Sequence, residues 1–185
     1  KAAHNSIDRD ESLTEQLDWD EQIEHRGGCR GVELDIVADP DRLGPDDEWD
    51  FAVQHGGDYD PESPKLHKCL EEIKEWSKNH PGHGVLTIHI DLKEGACVGD
   101  PKVFAEKIDG IFAGGLGREL IYSPSQLQRD TTTLLEGAQK YGWPKLGELK
   151  NKFILCFSGG DGDHSVAETR KTYTVTEPQK RLAFV

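Results

Sequence analysis

The segment Gly31-Val32-Glu33-Leu34-Asp35-Ile36-Val37 carries the most concentrated chemistry in the chain. Side chains alternate along a strand, so Val32, Leu34 and Ile36 face one way while Glu33 and Asp35 face the other. Two carboxylates on one strand face, roughly 7 Å apart, are costly to bury unless they are paired or bind a cation. An ordinary half-exposed polar face is the plain alternative. In the run from Val85 to Lys93, the residues Leu86, Ile88, Ile90 and Leu92 form an apolar face, and Thr87, His89, Asp91 and Lys93 stand opposite. Asp91 and Lys93 close that run at its C-terminal end, where parallel barrels build their sites. A third apolar run, 51–54, leads straight into His55-Gly56-Gly57, bringing an imidazole to the same rim beside glycines that let a ligand approach. Near the start, His4-Asn5-Ser6 follows a short apolar stub. Asn5, Glu33, Asp35 and Asp91 together make an all-oxygen set, which suits calcium or magnesium rather than zinc.

These residues need elements to hold them. Apolar runs at 31–37, 51–54, 85–92, 119–123, 153–157 and 182–185 read as strands, with 1–4 as the stub of another. Helical patterns lie between them, the signature of βα repeats. Ser12 and Glu15 fit a capping box. Leu66, Cys69, Leu70, Ile73 and Trp76 recur at helical spacing. Asp100-Pro101 reads as a cap and first turn, followed by a buried face of Phe104, Ile108 and Ile111, with Gly114 as the end. Counting the stub gives seven strands where a closed (β/α) barrel needs eight. The expected fold is therefore α/β, a TIM-like barrel incomplete at both chain ends and lacking its last βα unit, in one domain over 1–185. An open sheet is the alternative.

Composition narrows the partners. The formal charge of −13 makes the surface acidic, which argues against nucleic acid and against a basic membrane anchor. No apolar run reaches the roughly 20 residues of a transmembrane helix. The chain begins at Lys1 and has no methionine, as expected of a processed chain or an excised fragment, from which a signal peptide could have been removed. The four cysteines show no CxxC spacing. Cys29 and Cys156 read as core thiols, while Cys69 and Cys97 fall near loop or helix surfaces and could form one disulfide.

Several runs, taken in order, resemble one family. They are Ala3-His4-Asn5-Ser6, the stretch Ser12 to Leu17, Cys29 to Asp35, His55 after its strand, Trp76 with His80-Pro81-Gly82-His83, and Asp91-Leu92-Lys93. This order is similar to phosphoinositide-specific phospholipase C catalytic domains. Tyr122-Ser123-Pro124 and the segment from Gly142 to Leu149 resemble the calcium-dependent bacterial and fungal branch. The resemblance implies Asn5, Glu33, Asp35 and Asp91 as calcium ligands, with magnesium as the alternative ion, and His4 and His55 as the catalytic imidazoles. It further implies Glu33 as proton acceptor, a phospholipid substrate at a membrane surface, and secretion. Many relatives carry glutamate where Asp91 stands, and the spacing through 19–28 is longer than usual. Lys93 is read either as a phosphate or inositol contact or as a solvated lysine. His89 reads as a hydrogen-bonded core residue, and His25, His67, His80, His83 and His164 as surface or loop residues. Two rival functions stand beside this one. The first is a glycerophosphodiester phosphodiesterase or a sphingomyelinase-D-like lipase; the second is a calcium-binding barrel without catalysis.

Overall fold

A computed structural model describes residues 2–18, 28–49, 51–93, 100–159 and 164–185. The elements in order are β1 (Ala2–Ala3), α1 (Leu13–Leu17), β2 (Gly31–Ala38), β3 (Phe51–Val53), α2 (Leu66–Asn79) and β4 (Leu86–Leu92). They continue as α3 (Pro101–Leu116), α4 (Pro124–Gln128), α5 (Leu134–Tyr141), β5 (Phe153–Ser158), α6 (His164–Val175) and β6 (Ala183–Phe184).

Among the described residues the strands form one six-stranded sheet in the order β1-β2-β4-β5-β6, with β3 attached to β2. The pairs along that order are all parallel. The α/β class and the parallel sheet are as the patterning predicts, but the sheet does not close into a barrel. Two runs behave differently from expectation. β3 pairs antiparallel with β2, Val53 opposite Ile36 and Phe51 opposite Ala38. It shares the edge of β2 that β1 uses further back, leaving the other edge to β4. The predicted strand at 119–123 is instead a 3₁₀ turn over Arg118–Leu120 followed by a single bridge from Ile121 to Phe153.

The helix ends follow their sequence signals. Ser12 and Glu15 form the capping box of α1, with the Ser12 N–H donating to the Glu15 carboxylate at 2.8 Å. Asp100 caps α3 and Pro101 opens it, but the helix runs past Gly114 to Leu116 and ends at Gly117. A glycine inside a helix weakens it without stopping it, and Gly117 takes the positive φ of 94° that the exit requires. The predicted stripe on α2 is wholly buried. Leu34, Ile36, Ile88, Ile90, Leu155 and Phe153 pack beneath α2, α3 and α6 with Phe104, Phe112 and Tyr173. Phe51 and Phe104 meet edge to face at 5.9 Å, an aromatic geometry favoured by ring quadrupoles.

Cys69 belongs to this core as a free thiol rather than lying at a surface. Burial pushes its pKa up to about 12, which disfavours the thiolate. Cys97, its expected partner, lies outside the described residues. Cys29 and Cys156 are free and half-buried, less enclosed than core thiols. His83, expected at a surface or loop position, lies in the loop before β4 but is buried. Its Nε2 lies 2.6 Å from Ser77 Oγ and its Nδ1 lies 2.6 Å from the Gly84 carbonyl.

Candidate metal and phosphodiester site

Strand register builds the site. Parallel pairing of β2 with β4 sets Glu33 beside His89 and Asp35 beside Asp91. Pairing of β4 with β5 extends these rows to Cys156 and Ser158. Because the rows run across the sheet, the polar residues of each strand fall on one face. Val32, Leu34, Ile36, Ile88 and Ile90 take the helix-covered face and are at most 2% exposed. Register also places Ala3 beside Val32, so the residues following β1 arrive next to Glu33.

The turn leaving β1 is held by several hydrogen bonds. Asn5 adopts a left-handed conformation at φ 49°, which asparagine tolerates better than most residues. Its N–H donates to Glu33 Oε2 at 3.0 Å. Buried Ser6 accepts the Glu33 N–H at 3.1 Å, and the Gln16 carboxamide donates to the Ser6 carbonyl at 2.7 Å. Arg9 donates to the His4 carbonyl at 3.1 Å. His4 Nε2 faces Glu33 Oε2 at 3.4 Å, while the His4 side chain is 77% exposed and so open to a ligand.

The second half of the site is an ion-pair bridge. Lys93 Nζ lies 2.6 Å from Asp35 Oδ1 and 2.5 Å from Asp91 Oδ2. Burial drives the Asp35 pKa up, with Lys93 opposing. At Asp91 burial acts the same way, but the Lys93 ammonium and the nearby Ser158 hydroxyl outweigh it and the pKa falls. Burial works against the Lys93 charge, and the two carboxylates overcome it and raise its pKa. The pair thus titrates unequally, Asp35 taking a proton before Asp91. Gly159, at φ 88°, lets β5 end close over this pair, since a β-carbon there would lie 2.6 Å from Asp91 Oδ1.

The structure therefore brings His4, Asn5 and Glu33 together, and Asp35, Asp91 and Lys93 together, as two adjoining groups. Among the described residues no three His, Cys, Asp or Glu side chains converge as a ready-made metal cluster. Glu33 is turned to Asn5 and His4, while Asp35 and Asp91 are drawn to Lys93. The donor set nevertheless fits a hard cation. Asn5 Oδ1 is buried with no hydrogen-bond partner among the described residues, an acceptor that costs free energy unless something binds it. Lys93 already marks a cation position between two carboxylates. The lysine is only 24% exposed, with its ammonium held between the two carboxylates.

His55 arrives differently from expectation. Since β3 runs antiparallel to β2, its end is not the C-terminal rim of a parallel strand. The Gln54 N–H donates to the Asp35 carbonyl at 2.9 Å, so the chain leaves the sheet abreast of Asp35, with His55 exposed. Gly56 and Gly57, both at φ 80°, make the following turn. Gln54 braces it by donating to the carbonyls of Gly56 and Asp58 at 2.9 and 2.8 Å. His89 lies half-buried in the Glu33 row. His25 lies outside the described residues. Sequence reasoning missed Ser6, Gln16 and Gly159 as supports; only the glycine directly after a strand end offered a signal.

A family model described as "Phosphoinositide phospholipase C, Ca2+-dependent" matches residues 49–185. The chain belongs to this family. The match begins after His4, Asn5, Glu33 and Asp35 and does not bear on those four residues. The fold is similar to that of a calcium-dependent phosphatidylinositol-specific phospholipase C from Streptomyces antibioticus, with a TM-score of 0.63 at 19% identity. That comparison covers 85% of this chain and 56% of the other. A myoinositol complex of a calcium-dependent phosphoinositol-specific phospholipase C from a Pseudomonas species gives a TM-score of 0.65 at 19% identity, covering 84% and 56%. The chain thus spans little more than half the length of the solved phospholipases it resembles. No curated protein sequence matches it. Among the described residues, no helix is long and apolar enough to cross a membrane.

Proposed function

We propose that this protein is a calcium-dependent phospholipase C that cleaves phosphatidylinositol-type phosphodiesters to diacylglycerol and a cyclic inositol phosphate. The observation that carries the reading is the oxygen set beside His4: Asn5 Oδ1 buried without a partner among the described residues, Glu33 next to it, and Asp35 and Asp91 abreast around a cation position. Asn5, Glu33, Asp35 and Asp91 would hold the ion. When bound, calcium supplies a Lewis acid that lowers the pKa of the attacking inositol 2-hydroxyl and offsets charge on the phosphoryl group.

The chain's own residues supply the proton chemistry. Glu33 accepts the proton of the 2-hydroxyl. His4, exposed and held by the Glu33 carboxylate, donates a hydrogen bond to the phosphoryl oxygens. His55, leaving the sheet beside Asp35, protonates the departing glycerol oxygen. One imidazole must carry a proton while the carboxylates stay ionised, which sets a mildly acidic to neutral optimum. The substrate would lie at a membrane surface, and secretion is part of the same proposal.

The test is hydrolysis of phosphatidylinositol vesicles with calcium, with magnesium alone and with chelator, followed by phosphorus NMR. A cyclic inositol phosphate signal that requires calcium supports the reading. Choline or glycerol phosphate products from other lipids would move the protein to the rival phosphodiesterases. Stabilisation by calcium with no hydrolysis of any phosphodiester would make it a non-catalytic binding module.

A further inference from the structure

We infer that Lys93 is a tethered counter-cation that closes the metal-free site and must be displaced for calcium to bind. The inference rests on the calcium reading above and adds a step to it. Asp35 and Asp91 are buried side by side in the same register row, and without a cation between them their charges repel at close range. The Lys93 ammonium fills that role with both contacts at ion-pair distance, 2.6 and 2.5 Å, although its side chain is still 24% exposed. Its backbone is fixed, since its N–H donates to the Ile36 carbonyl at 3.3 Å. The four-carbon stem is free to rotate about that anchor. An incoming divalent cation competes for the same two oxygens and carries twice the charge. The ammonium is then released at the rim that also presents His4, where a substrate phosphate would pair with it.

The consequence is thermodynamic. A site blocked by its own lysine for nine-tenths of the time or more binds its ion with apparent affinity reduced about tenfold or more. Removing the charge should therefore tighten calcium binding while weakening the metal-free protein. Calcium is titrated calorimetrically into wild type, Lys93→Met and Lys93→Arg, and the melting temperature of each is recorded with calcium and with chelator. Lys93→Met is expected to bind calcium about tenfold tighter, to melt lower in chelator, and to show a larger calcium-induced rise. Lys93→Arg, which keeps the charge, should stay near wild type. Equal or weaker binding by Lys93→Met overturns the exchange while leaving the calcium reading intact. If no form binds calcium, the calcium reading falls and the exchange falls with it. A Lys93→Met chain too unstable to titrate is replaced by Lys93→Gln, which keeps a polar tip and is judged by the same affinity comparison.

Discussion

Replacing Asn5 separates ligand from scaffold at the level of one residue. Alanine in the left-handed conformation costs about 1 kcal/mol, so Asn5→Ala would confuse strain with the loss of an oxygen. Asn5→Gly keeps the turn and the N–H bond to Glu33 and deletes only the carboxamide. Its calcium affinity should fall by about tenfold or more, the scale on which even supporting partners of a metal site act, with little change in metal-free melting temperature. Unchanged affinity by calorimetry would remove Asn5 from the ligand set. His55 makes the opposite prediction. It is exposed and takes no part in the described packing of the core, so His55→Ala should fold and bind calcium normally. Turnover should drop roughly 10²–10⁴-fold if it is the general acid. Wild-type rates on phosphatidylinositol vesicles would exclude it from the mechanism.

Elements explain why some of this was legible and some was not. The Glu33/Asp35 and Asp91 rows were readable because alternation on β2 and β4 is strict, and a parallel pair then leaves few registers that keep every apolar side chain inside. The direction of β3 was not readable from a three-residue strand. Its connection from β2 did hold a clue: the stretch between Ala38 and Phe51 carries Pro40, Gly44 and Pro45 and no helical pattern, whereas parallel crossovers usually need a helix. The run at 119–123 has strand composition but contributes only Ile121, since its first residues close a 3₁₀ turn. Lys93 sat at the right place in the sequence, but its partners are set by side-chain reach across two strands, which spacing does not encode.

His83 tests the loop that feeds β4. Burial lowers its pKa, and nearby Arg30 and His80 add to that effect while the bond to the Gly84 carbonyl opposes it. The unfolded chain therefore takes the proton first. Stability from this group is fully present above the usual histidine value, near 6.5, and is lost as pH falls through it. Urea unfolding at pH 7 and pH 5 should show a smaller loss for His83→Gln than for wild type. An equal loss in both would place the acid sensitivity elsewhere.

At the scale of the whole molecule, charge opposes the proposed substrate. The formal charge is −13, and phosphatidylinositol vesicles are anionic, so long-range forces repel the protein from its own surface. A few acidic contacts cannot be read in isolation here, because at about 0.01 M salt the field reaches roughly 30 Å and sums over one whole face. At about 0.1 M it reaches only roughly 10 Å. In chelator, sedimentation with anionic vesicles should therefore increase as salt rises over that range, while zwitterionic vesicles should show little change. A protein docked by a basic patch behaves the other way, losing contact as salt rises. If binding falls with salt, a local cationic surface outweighs the net charge and sets the approach. If it rises, the docking step depends on cations from solution, and the ion that completes the Asp35–Asp91 site then also removes part of the barrier to reaching the lipid.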